Sequence, residues 1–234
     1  MLRKIPLQKI LFLDIETVPE VENWDELSDT MKKLWTEKTQ WQRKEEINPE
    51  DFYHDRGGIM AEFGKIICIS CGLILENGLF RVKSFYGNDE RRLLLNFAEL
   101  LENKFNTPYH VLCAHNGKEF DFPYIARRMI INQVELPTIL NMHGKKPWEI
   151  NHLDTLELWK FGDYKHYTSI KLLAEVLGIP TPKDDIDGSQ VAEVYYKEHD
   201  LERIRIYCEK DTLTVAQIFR RLRYEPLLKM ENEV

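Results

Sequence analysis

Five side chains, distant from one another in the 234-residue chain, have the types and local spacings of a metal site. Asp14-Ile15-Glu16 closes a short apolar run. Asp121 ends Asn116-Gly117-Lys118-Glu119-Phe120-Asp121. Tyr207 and Asp211 stand four apart in Tyr207-Cys208-Glu209-Lys210-Asp211. Four carboxylates and one tyrosine in that order are what a two-metal centre for cleaving phosphodiesters requires.

The elements that must carry them follow from the flanking residues. Ile10-Leu11-Phe12-Leu13 before Asp14 reads as a buried strand whose end opens into a site. Side chains alternate along a strand, so Asp14 and Glu16 share a side and Ile15 faces away. The two carboxylates repel unless a cation lies between them. The plainer alternative is an acidic strand end in solvent. Asp121 follows a second strand-like run, 109–114, and the turn signal Asn116-Gly117, and it precedes a helical pattern with Pro123 in its first turn. Its alternative is a helix cap. Tyr207 and Asp211 lie in a helical pattern from about 201 to 222, and their four-residue spacing puts them on one face. There the alternative is a surface aspartate beside a core tyrosine. The three plain readings are hard to hold at once, because all three motifs occur in order, each on a suitable element.

The pattern resembles the DEDD exonuclease superfamily in its tyrosine-bearing branch. It is most similar to the proofreading domain of family-B DNA polymerases and, more narrowly, to a stand-alone bacterial family of predicted 3′–5′ exonucleases. Asp14-Ile15-Glu16-Thr17, Asn116-Gly117 through Phe120-Asp121 with Pro123-Tyr124-Ile125, and Tyr207 with Asp211 carry the likeness. The histidine-bearing branch would have histidine where this chain has Ile206. Further similar stretches are 62–70, Ser169-Ile170-Lys171-Leu172-Leu173-Ala174 and Asp187-Gly188-Ser189.

The resemblance implies that Asp14, Glu16 and Asp211 hold one divalent ion, and that Asp14 and Asp121 hold a second. Oxygen ligands without paired Cys or His favour Mg²⁺ or Mn²⁺ over Zn²⁺. Tyr207 would orient the attacking water, since a phenol with a pKa of about 10 is a poor base at neutral pH. The product would be a nucleoside 5′-monophosphate. The implied fold is α/β and ribonuclease-H-like, a five-stranded mixed sheet flanked by helices. The expected strands lie near 9–14, 65–75, 79–86, 109–114 and 152–154. Helices are expected near 89–104, 122–132, 169–177, 188–198 and 200–222. Asn77-Gly78 signals a hairpin. Residues of about 20–60 read as a helical insertion between the first two strands, within a single exonuclease domain over 1–234.

Composition bounds the alternatives. Hydrophobic residues make up 43% of the chain, enough for one core, and no run reaches the length of a membrane span. The N-terminus lacks the apolar region of a signal peptide, so a cytoplasmic location is expected. The net charge of −7 argues against a general nucleic-acid coat. Binding must then be local. Two basic stretches with aromatics suggest it, Lys145-Lys146-Pro147-Trp148 and Tyr164-Lys165-His166-Tyr167-Thr168-Ser169. Candidate contacts are Thr17, Asn116 and Phe120 beside the acids, with Lys165, Tyr167 and Ser169. Cys68 and Cys71 have redox or zinc spacing but sit in a strand-like apolar run, which predicts core packing. His115 lies near the second motif and His152 just before Asp154, which ends a strand-like stretch and reads as structural.

The favoured function is release of nucleotides from 3′ ends of single-stranded DNA. RNA 3′-end trimming is the nearest enzymatic alternative. The others are a metal-binding module that holds 3′ ends within a larger repair or replication complex, and a phosphohydrolase for small nucleotides. No cofactor beyond the ions is expected. The sequence names no protein partner and no oligomeric state.

Overall fold

The computed structural model describes residues 2–43, 47–163, 165–180 and 186–230. Strand β1 (Ile10–Pro19) lies at the centre of a mixed sheet. Helices α1 (Asp29–Thr39) and α2 (Pro49–Arg56) follow, then β2 (Gly64–Ile74), β3 (Leu79–Tyr86), α3 (Glu90–Lys104), β4 (Val111–Ala114) and α4 (Asp121–Ile131). The second half holds β5 (Leu153–Asp154), α5 (Thr155–Lys160), α6 (Ile170–Val176), α7 (Val191–Glu193), α8 (Leu201–Leu222) and β6 (Lys229–Met230). The sheet order is β5-β4-β1-β2-β3-β6. Strands β1, β2 and β3 run antiparallel in turn, while β4 lies parallel to both β1 and β5.

All five expected strands are present. The two-residue β6, parallel to β3, adds a sixth that was not foreseen. The insertion between β1 and β2 is helical, and its Trp35, Tyr53 and Phe63 form a small core of their own. The helix expected near 188–198 begins later, at Val191, and ends in a π-helical turn over Val194–Glu198. The Asp187 carboxylate accepts from the Ser189 amide, and the Gln190 side chain accepts from the Asp187 amide. Such local bonds hold a turn and delay the helix.

Alternation along β1 divides the core. Leu11, Leu13 and Ile15 pack with α3 and α4 residues such as Phe97, Ile125 and Met129. Ile10 and Phe12 pack with Val215, Ala216 and Phe219 of α8. Asp14 and Glu16 continue that second row, so the strand presents both acids toward α8. Cys68 and Cys71, three apart on β2, fall on opposite faces in different core clusters, and both are buried free thiols. They pack the core, as their surroundings predict.

Candidate active site

The first pair of acids stands at an irregularity. β1 and β2 pair in register from Phe12↔Gly72 to Glu16↔Cys68, and the register shifts between Glu16 and Thr17. Such a bulge bends a strand and re-aims its side chains. Beyond it, the Thr17 hydroxyl donates to the Tyr124 hydroxyl oxygen, and Tyr124 in turn donates to the Gly58 carbonyl at 2.7 Å. Strand β1, helix α4 and the end of the insertion therefore meet just past Glu16.

Asp121 arrives from the opposite layer. After β4, Asn116 takes a left-handed backbone (φ 63°), which asparagine tolerates well. At Gly117 a Cβ would come within 2.4 Å of the Ala114 Cβ, so only glycine fits this close turn. The Asp154 carboxylate accepts from the Asn116 and Lys118 amides, and from Leu156 and Glu157 at the start of α5. Asp154 is thus the structural clamp that its sequence position suggested. His152 accepts from the Leu112 amide and bonds the Ile139 carbonyl. His115 bridges Thr155 and the Thr168 carbonyl. The turn delivers a buried Asp121 to β1, where the Ile15 amide donates to it.

Helix α8, capped by Asp200, brings the third motif across the other face. The Tyr207 hydroxyl donates to Asp211, four residues on. Asp211 acts electrostatically on Asp14 and Glu16, and Asp121 acts on both as well. The five expected site residues therefore converge. Asp14, Glu16 and Cys208 each offer an atom within 4.8 Å of the others. Cys208 was not foreseen as a site residue. Its thiol donates to the Asp14 carbonyl and lies 3.5 Å from Asp14 Oδ2. The adjacent Tyr207 could have pointed to it, since neighbours on the helix reach the same strand.

The electrostatics are those of crowded acids. Burial first, and then the charges of Glu16, Asp211 and Asp121, push the Asp14 carboxyl well up. Burial and Asp211 do the same to Glu16. Burial lifts Asp121 to about 7, against the pull of amide donors. Burial and the same acids also push the Tyr207 phenol up, so it keeps its proton at neutral pH. Carboxylates held this close are relieved by a cation. An all-carboxylate set fits a hard divalent ion, and the protonated Cys208 leaves that chemistry unchanged.

The other expected contacts are spread more widely. Thr17 and Phe120 are half-buried near the centre, with the Phe120 ring 5.2 Å from that of Tyr124. Lys165, Tyr167 and Ser169 are exposed on the segment before α6, where Ser169 caps the helix. Tyr164 lies outside the described residues. This segment approaches the centre through Lys171, which was not anticipated as a site residue. The Lys171 ammonium lies 5.9 Å from the Tyr207 ring centroid, and Thr168 is buried with no partner for its hydroxyl. In the other basic stretch, Lys146 lies over Trp148 at 5.3 Å. Among the described residues, no helix is long and apolar enough to cross a membrane.

Residues 59–229 match a family described as predicted 3′-5′ exonucleases related to the exonuclease domain of PolB. The match includes Asp121, Tyr207 and Asp211. Asp14 and Glu16 lie outside it, and it is the folded chain that brings them to the same centre. The structure of the family B DNA polymerase from the hyperthermophilic archaeon Pyrobaculum calidifontis is similar, with a TM-score of 0.56 and 17% identity. The likeness covers 90% of this chain and 24% of that one, and it is a likeness of fold. This chain spans about a quarter of that polymerase. No curated protein matches the chain.

Proposed function

The chain belongs to the family of predicted 3′-5′ exonucleases related to the exonuclease domain of PolB, and from that premise we propose that it is a two-metal exonuclease of the tyrosine-bearing DEDD type. It releases nucleoside 5′-monophosphates from the 3′ ends of single-stranded DNA. We read residues 1–234 as one such domain, acting in the cytoplasm. The observation that carries the reading is the convergence of Asp14, Glu16, Asp121, Asp211 and Tyr207 from three separate elements.

Asp14, Glu16 and Asp211 would hold one Mg²⁺ or Mn²⁺, and Asp14 with Asp121 a second. When bound, such ions supply charge stabilisation at the phosphate and lower the pKa of water. The chain's own groups do the rest. Tyr207 keeps its proton and orients the attacking water by a hydrogen bond, so it is not the base. The Ile15 amide and the Gly117 turn fix Asp121 against β1. The Cys208 thiol, donating to the Asp14 carbonyl and 3.5 Å from its carboxylate, helps fix the acid that would serve both ions.

The test uses 5′-labelled single-stranded DNA and the matching RNA, with Mg²⁺, Mn²⁺ or EDTA, and Asp14→Ala as the control. A metal-dependent ladder shortening from the 3′ end of DNA, absent in the variant, is the expected result. A ladder on RNA alone would change the substrate to RNA. Cleavage of neither polymer by folded, metal-supplied protein would sink the exonuclease reading.

A further inference from the structure

Phe161 ends α5 with one feature that costs stability and one that contributes none. Its backbone is left-handed (φ 46°, ψ 34°), a conformation that glycine adopts freely and other residues rarely. Its ring is 84% exposed. Its neighbours Lys160 and Gly162 line a cavity of about 450 Å³, a size that suits a nucleotide-scale ligand. Asn116, Lys118 and Glu119, in the turn that delivers Asp121 to the candidate centre, line it as well. The cavity thus shares its lining with the turn that leads into Asp121, and Phe161 lies in the chain between two of its lining residues.

The wall chemistry indicates which part of a nucleotide fits. Four acids line it, Glu119, Asp154, Glu157 and Asp163, against Lys118 and Lys160, and Lys118 is bonded to Glu157 at 2.6 Å, so the wall disfavours a phosphate. Pro147, Ile150 and Leu156 give apolar surface, and Asn116 can both donate and accept hydrogen bonds. An uncharged nucleobase suits this wall and a backbone phosphate does not. We propose that this cavity is a nucleobase subsite of the exonuclease, with Phe161 as the stacking platform for a base of the single strand near its 3′ end. The proposal rests on the exonuclease reading for its ligand. Stacking of this kind tolerates every base, as a trimming enzyme needs.

The experiment uses full-length Asp14→Ala protein, so that the strand stays intact, with and without Phe161→Gly. A short single strand carries 2-aminopurine at successive positions from its 3′ end. Binding of the Asp14→Ala protein is expected to quench the analogue at one position, and Phe161→Gly to remove that quenching. The dissociation constant should rise about 5-fold or more in the double variant. Its melting temperature should stay level or rise, because glycine relieves the left-handed backbone. Phe161→Trp should retain both quenching and affinity. Unchanged affinity in Phe161→Gly would overturn the proposal, and so would a loss of affinity accompanied by a fall in melting temperature. Failure of the wild-type protein to cut any polymer would count against the exonuclease reading alone, since the binding measurement needs no turnover.

Discussion

Glu90 and Glu16 are both buried carboxylates, 8% and 7% exposed, and the chain treats them in opposite ways. Glu90 accepts from the Ile66 amide, from Arg128 and from the Asn132 side chain. Arg128 also bonds the Ala61 carbonyl and Glu20. Burial works against the Arg128 charge, but Glu90 outweighs it, and the guanidinium is held more firmly charged than usual. Around Glu16 the neighbouring charges that matter are other acids, and its carboxyl is pushed well up. A buried acid compensated by the chain's own groups is complete as it stands, and it ties elements together. A buried acid among acids is completed from outside, by protons or by a cation. The first cluster joins α3, α4 and β2, and the second is the candidate centre.

Substitutions should separate the two clusters sharply. Asp14→Ala removes an acid whose neighbours are acids. Ion-borne stabilisation worth several kcal/mol would be lost, so turnover on single-stranded DNA should fall on the order of 10³-fold. The melting temperature in EDTA should not fall, because repulsion is relieved. A folded Asp14→Ala protein with wild-type turnover would break the comparison at its functional end. Glu90→Ala should do the reverse and leave the Arg128 charge buried without its main partner. That costs about 3–5 kcal/mol, or roughly 10 °C in melting temperature for a chain of this size. Turnover per folded molecule should stay near wild type. Calorimetry that finds Glu90→Ala as stable as wild type would refute its structural role.

Much of this contrast was legible in the residues. The period-two row from Ile10 to Glu16 put both acids on one face, and the four-residue step from Tyr207 to Asp211 put those two together on α8. Two elements too short to show a period were missed. Helix α5 has six residues and β6 has two. β1 was expected to stop near Asp14 yet runs to Pro19, because the pairing resumes after a bulge that alternation cannot foresee. The partnership of Glu90 with Arg128 was equally out of reach. It joins residues 38 apart through the docking of α3 on α4, which no local spacing encodes. Lys171 over Tyr207 and Cys208 against Asp14 depend in the same way on how helices lie against their neighbours.

A divalent ion should stabilise one cluster and leave the other indifferent. At about 100 times its dissociation constant, Mg²⁺ should add roughly 2.7 kcal/mol to wild-type stability. Asp14→Ala should lose this gain, and Glu90→Ala should retain it. Without metal, pH supplies the complementary test. Asp121 is raised to about 7 in the folded chain, against about 3.9 for a free aspartate. A raised carboxyl favours the protonated folded state. Its contribution is full below about pH 4 and is lost as pH rises through about 7. In EDTA, the stability of wild type relative to Asp121→Asn should therefore fall between pH 4 and 7. A flat difference across that range would mean that the Asp121 carboxyl is not raised.

The smallest effect should come from Tyr207, a residue of the centre that carries no charge. Tyr207 is pushed up by burial and by Asp211, Glu16 and Asp14, so its hydroxyl donates and does not accept a proton at neutral pH. Tyr207→Phe keeps the ring against Lys171 and removes a single donor. One hydrogen bond is worth about 0.5–1.5 kcal/mol, which corresponds to at most about a tenfold loss of kcat. KM should move less than kcat, because an orienting bond to the attacking water matters most when the water reacts. The pH profile of kcat should keep its shape, since no proton is assigned to the phenol. A lost basic or acidic limb would make Tyr207 a proton carrier. An unchanged kcat would leave the carboxylates alone as the reactive part of the centre.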